Sequence, residues 1–285
     1  MNHKNIAGRL GPYGNNVGQI QQEQQRANVA PNAQLSYVIS ESGSVIKGAP
    51  LYFAGGLGAA LWGIDYHLTS MSNGISRIAN TLRPIELHSF WMPDNSCPFT
   101  MRPVVQAAYS TAPFVADLIG STTNTAASKI VEVPLTGISD GVDPDYFAAY
   151  VVYGAQSGRP VRVALINLRQ WDEDFLLNPA MAPRGSVNVT VAGQGGILGG
   201  GGINSASVRR LHSNKGWSAG GYDLGGDDNN VTWAGEQWSS TLDNGNGHFR
   251  NGVLESETLP VDNTGSLVVN VPDTEAVIVD LGWGF

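Results

Sequence analysis

The sequence predicts a two-part chain, an α/β segment over residues 1–125 followed by an all-β sandwich over 126–285, and three observations carry that reading. Helix-like and strand-like segments alternate up to residue 125, the βα signature of a parallel sheet or barrel. Beyond it, short apolar runs are punctuated by Gly, Pro, Asn and Asp, as in sandwiches. Composition agrees: 36 glycines and only 14% charged residues in 285 disfavour bundles and coiled coils, while 42% hydrophobic residues suffice for a packed core.

In the first part, the polar, Gln-rich stretch 2–28 carries Ile6, Leu10, Val17 and Ile20 at helical spacing and reads as a surface helix. Residues 35–40, Leu-Ser-Tyr-Val-Ile-Ser, suit a buried strand. Residues 51–71 are too long for a strand and repeat apolar residues with a helical period, with Gly74 as the stop. A second strand over 75–82 and a helix over 104–119, bent or delayed by Pro113, complete this part.

In the second part, eight strands are expected, over 129–135, 146–153, 162–167, 186–191, 207–211, 253–259, 266–271 and 276–281. They fit one sandwich, with 193–202 as a glycine-rich loop.

Charge and motifs exclude several classes. A net charge of −8 with no basic block argues against nucleic acid, and no apolar stretch is long enough to span a bilayer. The N-terminus has no signal-peptide apolar region. Cys97, the single cysteine, reads as a half-buried small hydrophobe. Two sequons, Asn188-Val189-Thr190 and Asn230-Val231-Thr232, suit a secreted, glycosylated surface. Gly137-Ile138-Ser139-Asp140-Gly141 matches a nucleophile elbow in spelling but has strand candidates on both sides, where an elbow needs a helix after it. Asp140, Asp143 and Asp145, and Asp227 with Asp228, lack an EF-hand pattern and read as solvated turns. The five scattered histidines, His3, His67, His88, His212 and His248, form no zinc motif, so neither metal nor cofactor is expected.

Glu41 stands out. It follows a buried strand and precedes Ser42-Gly43-Ser44, the place where a β/α barrel holds catalytic groups at its carboxyl mouth. Spacing alone favours a helix-capping or solvated carboxylate. Trp217, Trp233, Trp238 and Trp283 gather in the β part, where indoles serve either as core or as platforms for sugar rings.

Specific strings decide further. Tyr37-Val38-Ile39-Ser40-Glu41-Ser42, Leu57 to Tyr66 (LGAALWGIDY) and Met71 to Arg77 (MSNGISR) resemble the closing part of the barrel in glycoside hydrolase family 79, which includes fungal β-glucuronidases and is related to heparanase. The likeness runs on through Tyr109 to Asp117, Val163 to Leu168, Val208 to Leu211 and Asn229 to Trp238. It implies the terminal units of a (β/α)8 TIM barrel followed by a C-terminal β-sandwich, and a retaining mechanism with Glu41 as nucleophile. In that mechanism one carboxylate attacks the anomeric carbon while a second carboxyl protonates the leaving oxygen from about 5 Å away.

The family's acid/base glutamate, typically in an Asn-Glu pair, would fall upstream of Met1, and this sequence holds no Asn-Glu dipeptide. The expectation is therefore a fragment, inactive alone, of a β-glucuronidase-like enzyme whose full-length members are extracellular and whose partner is a glycan. Glu86 and Trp91 are read as substrate-binding residues, with Glu86 or Asp94 as an internal substitute for the acid; Glu86 would repel an acidic sugar. The rival expectations are a carbohydrate-binding β-sandwich using Trp217, Trp233 or Trp238, and a remnant with neither property.

Overall fold

A computed structural model of the chain describes residues 37–43, 51–80, 89–93, 103–120, 127–135, 144–174, 176–192, 203–225 and 231–282. The expected helix over 2–28, the loop 193–202, the elbow-like 137–141, Cys97, Glu86, His88, Asp94, Asp140, Asp143, Asp227, Asp228 and Trp283 lie outside these residues.

The first part holds a parallel unit. Strand β1 (Tyr37–Ser42) pairs in parallel with β2 (Ile75–Asn80), and helix α1 (Leu57–Ser72) connects them. The helix predicted over 51–71 is broken: a single turn, Leu51–Ala54, ends at Gly55-Gly56 before α1 begins. The break frees the first amides of α1 for partners outside the helix, as every helix start requires. Leu57 N donates to Ala219 O at 2.8 Å and Gly58 N to Trp217 O at 3.0 Å. Gly74 closes the other end with φ +84°, a conformation glycine adopts without strain.

The helix predicted from residue 104 also starts late. Val104–Val105 form β4, paired with β3 (Trp91–Met92), and a 3₁₀ turn at Ala107–Ser110 precedes helix α2 (Thr111–Ile119). Pro113 falls in the first turn of α2, where its missing N–H costs nothing. Helices α1 and α2 cross where Gly63 meets Thr111, whose hydroxyl donates to Ala60 O.

The second part is built on one large sheet. Its strands are β5 (Ala127–Glu132), β6 (Phe147–Gly154), β7 (Pro160–Asn167), β9 (Ser205–His212), β10 (Thr232–Trp233), β11 (Glu236–Gln237), β12 (His248–Phe249), β13 (Glu257–Pro260) and β15 (Glu275–Asp280), in the order 12-11-10-9-15-7-6-5 with β13 on β9. Strands β8 (Ser186–Ala192) and β14 (Ser266–Pro272) form a separate antiparallel pair.

Apolar runs such as Phe147–Gly154 and Glu275–Asp280 arise because this sheet is covered on both faces, so both sets of alternating side chains are buried. Tyr150, Ile166 and Ile278 join the core under α1, while Leu165, Val277 and Val279 join the core under β8 and β14. Burying each such chain is worth about 1.5–3 kcal/mol, so the sheet fastens helices on one side and the strand pair on the other. The second part is thus a large sheet with the β8–β14 pair on one face, packed by its other face on the helices of the first part; its sixth expected strand starts at Glu257 rather than at 253.

Candidate active site

The parallel unit places Glu41 by a change of register. Ile39 pairs with Ile78 and Ser42 with Asn80, so three steps on β1 match two on β2 and one residue of β1 is extra. Ile39 and Ile78 pack toward the α1 core, and Ser42 is buried. Regular alternation from Ile39 would turn Glu41 toward the helix. With the extra residue, Ser40 and Glu41 are both exposed on the opposite face, and Val38 joins them there. A bulge that re-aims one side chain at the end of a strand is a recurrent device beside active sites.

The partner strand is anchored from the helix. His67 Nδ1 lies 2.6 Å from Gly63 O, an acceptor only, so that nitrogen carries the proton. Its Nε2, 3.2 Å from Asn80 Nδ2, then accepts from the Asn80 amide. Burial lowers the affinity of His67 for a second proton, with the Gly63 bond acting the other way, and the ring is neutral. Because His67 sits five residues before the end of α1 and Asn80 closes β2, the contact and the short turn between the elements fix them antiparallel. The N-terminus of α1 therefore lies at the carboxyl end of the strands, on the side of Glu41.

That end also receives Trp91. Ala107 N donates to Gly55 O just ahead of α1, and Gln106 N to Phe90 O, which ties the β3–β4 pair to the same side. Trp91 is 37% exposed and meets Tyr109 edge-on at 5.9 Å; Tyr109 in turn meets Trp238 at 5.5 Å. Indole faces on a rigid aromatic base suit the apolar face of a pyranose ring.

The structure corrects the tryptophan platform. Trp233 is 1% exposed, packs on Phe114 with centroids 4.7 Å apart, and donates from Nε1 to Asp117 Oδ2 at 2.8 Å. Trp217 is buried under the start of α1 against Phe53. Both are packing residues between the two parts, and of the three only Trp238 stays half-buried. Their sequence neighbourhoods could not separate these roles, because core and platform use the same residue type.

Reasoning from sequence left out Asp65 and Tyr150. The Tyr150 hydroxyl donates to Asp65 Oδ1 at 2.5 Å and lies 2.8 Å from Thr69 Oγ1, locking α1 onto β6 beneath the site. Burial, reinforced by the Asp65 charge, pushes the Tyr150 phenol well above its usual range. Asp65, the one carboxylate on α1, was a signal: a carboxylate inside a core needs a donor. Among the described residues no three His, Cys, Asp or Glu side chains gather as metal ligands.

A cavity of about 330 Å³ lies elsewhere, between Trp171, Asp172, Asn178 and Asp273 in the β part. Asp172 is committed to capping Asp174 N and Ser218 N, and Asn178 spans Asp172 O and Ala182 O. Those polar groups hold the loop together.

Residues 149–278 match the family model described as the glycosyl hydrolase family 79 C-terminal beta domain. No curated protein sequence matches the chain. Among solved structures, a 4-O-α-L-rhamnosyl-β-D-glucuronidase from Fusarium oxysporum 12S is similar with a TM-score of 0.67 at 20% identity, over 98% of this chain and 48% of that one. A family GH51 arabinofuranosidase from Xanthomonas axonopodis pv. citri is similar with a TM-score of 0.51 at 12% identity, over 92% of this chain and 45% of that one. These likenesses show the fold, and the chain spans about half the length of both structures.

Proposed function

We infer that this chain, which carries a glycosyl hydrolase family 79 C-terminal β domain, contributes the nucleophile side of a retaining, β-glucuronidase-like glycoside hydrolase. The observation that supports it is the extra residue at Ser40-Glu41, which sets the carboxylate on the open face at the carboxyl end of a parallel strand pair. There it meets what the chemistry asks of a nucleophile: exposure to substrate, and a strand rather than a loop to hold it. The strand pair with α1 is read as the end of a (β/α)8 barrel, residues 1–125, packed on the β domain of 126–285.

In this reading Glu41 attacks the anomeric carbon to form a covalent glycosyl intermediate. Trp91, with Tyr109 and Trp238 behind it, stacks on a sugar unit. The proton for the leaving oxygen comes from a carboxyl that the family's pattern places in the other half of the barrel, so the chain by itself turns over ordinary glycosides poorly. The substrate is a glycan carrying a β-linked uronic acid or a related sugar, met outside the cell.

Mechanism-based labelling tests this. A 2-deoxy-2-fluoro-β-glucuronide with an activated leaving group needs no general acid for the first step. It should modify Glu41 and no other carboxylate. An adduct elsewhere, or turnover undiminished in Glu41→Gln, overturns the assignment.

A further inference from the structure

One sequence feature has no part in that chemistry: the acceptor tripeptide Asn188-Val189-Thr190 lies within β8. Alternation along β8 buries Val187 and packs Val189 and Val191 on the second core. Asn188 and Thr190 consequently stand on the outer face, and both are exposed. Opposite them on β14 are Asn270 and Val268, the latter 56% exposed.

The hydrogen bonds orient the Asn188 amide. Asn270 Nδ2 donates to Asn188 Oδ1 at 2.8 Å and to Ser186 Oγ at 2.9 Å. The oxygen of Asn188 is therefore turned toward β14, and its Nδ2 is turned away from the strand pair. That nitrogen is the atom to which an N-linked sugar attaches. The second tripeptide differs: Thr232 is fully buried in β10, so once β10 has paired with β9 its hydroxyl is out of reach.

We propose that Asn188 is an N-glycosylation site whose glycan covers the outer face of the β8–β14 pair. The co-reactant is a lipid-linked diphosphate oligosaccharide. Asn188 Nδ2 forms the bond to the sugar C1, the C1–O bond to phosphate breaks, the lipid diphosphate leaves with the electron pair, and the amide proton passes to a base on the transferase. The proposal has a physical use. Among the described residues β8 pairs with β14 alone, so its outer edge offers backbone groups to any other strand, and Val268 adds an apolar spot beside it. A bulky, hydrated chain at Asn188 blocks both.

The test directs the whole chain into the secretory pathway of a eukaryotic host and reads glycopeptides in the retained and exported pools. Release by peptide N-glycosidase should convert Asn188 to Asp and remove the added mass. Both Asn188→Gln and Thr190→Ala should lose the modification completely, and Asn230→Gln should keep it. An unmodified Asn188 in both pools, or sugar at Asn230 alone, overturns the proposal. The readout is independent of Glu41 and of any glycosidase activity.

Discussion

Gly58 at the start of α1 lies directly beneath the indole of Trp217: a Cβ built there would come within 2.7 Å of three ring atoms. The same two residues share a backbone bond, Gly58 N to Trp217 O, so the contact is the seam between the parallel unit and the β domain. Sequence placed Gly55 to Gly58 in a helix, where glycine is weak, and the seam explains why it is there.

Gly58→Ala should therefore destabilise the chain although alanine is the better helix former. The gain in propensity is about 0.5–1 kcal/mol, and overpacking costs about 1–3 kcal/mol. Urea denaturation should show a net loss, and Trp217→Leu combined with Gly58→Ala should lose less than the two single changes added together. Strict additivity would mean that the ring and the glycine do not share this contact.

Stability should fall on mild acidification because of His67. Its folded-state pKa lies below the ordinary 6.5, so between those two values the unfolded chain binds the extra proton and the folded chain does not. The contribution is complete above pH 6.5 and is lost as pH falls through the folded-state value. His212 is lowered in the same direction by burial and by Arg184, whereas Glu275, raised by burial, works in the opposite sense from its ordinary 4.5 upward. His67→Gln keeps a side-chain amide at that position, and its urea midpoint should vary less than that of the parent between pH 5 and 6.5. Equal slopes would place the titration elsewhere.

How far the sequence foretold this structure depended on the length of each signal. Strands β6, β7 and β15 were legible because each is a long apolar run, and Gly74 because only glycine sits easily at φ +84° after a helix. Strands β10, β11 and β12 were missed, since two residues show no period, and Trp233 is buried in one of them by contacts from α2, far away in sequence. The position of Glu41 at a strand end was readable, but its direction was not. The extra residue in β1 exists only in relation to β2, which begins thirty-eight positions after β1 does.

The carboxylate of Glu275 is the most exacting ionic contact of the β domain. It is 3% exposed, accepts from Arg210 Nη1 at 2.6 Å, and has Arg184 Nη2 3.7 Å away. Removing Arg210 strands a buried carboxylate with only Arg184 near it and costs about 3–5 kcal/mol, whereas removing the Glu275 charge leaves Arg210 partly exposed and still paired with Glu257 Oε2 at 2.9 Å, which is milder. Arg210→Ala should thus cost several times more stability than Glu275→Gln, with the double variant falling between the two. Circular dichroism melts of the three proteins decide it, and a larger loss in Glu275→Gln would contradict the account.

The register at Ser40-Glu41 gives the sharpest test of function. If exposure alone made Glu41 reactive, the exchange Ser40→Glu with Glu41→Ser would serve equally, because both positions lie on the open face. It moves the carboxylate by one residue, about 3.3 Å along the strand. Nucleophilic attack tolerates little of this: displacements near 1 Å can cost about 10²-fold in rate. Labelling by the activated fluoro-glucuronide should therefore fall at least about 10²-fold in the exchanged variant. Glu41→Asp, which shortens the side chain without changing the strand position, should retain more reactivity than the exchange. Labelling of the exchanged variant at the parent's rate would show that the carboxylate is reactive through exposure, and that its placement by the bulge has no part in the chemistry.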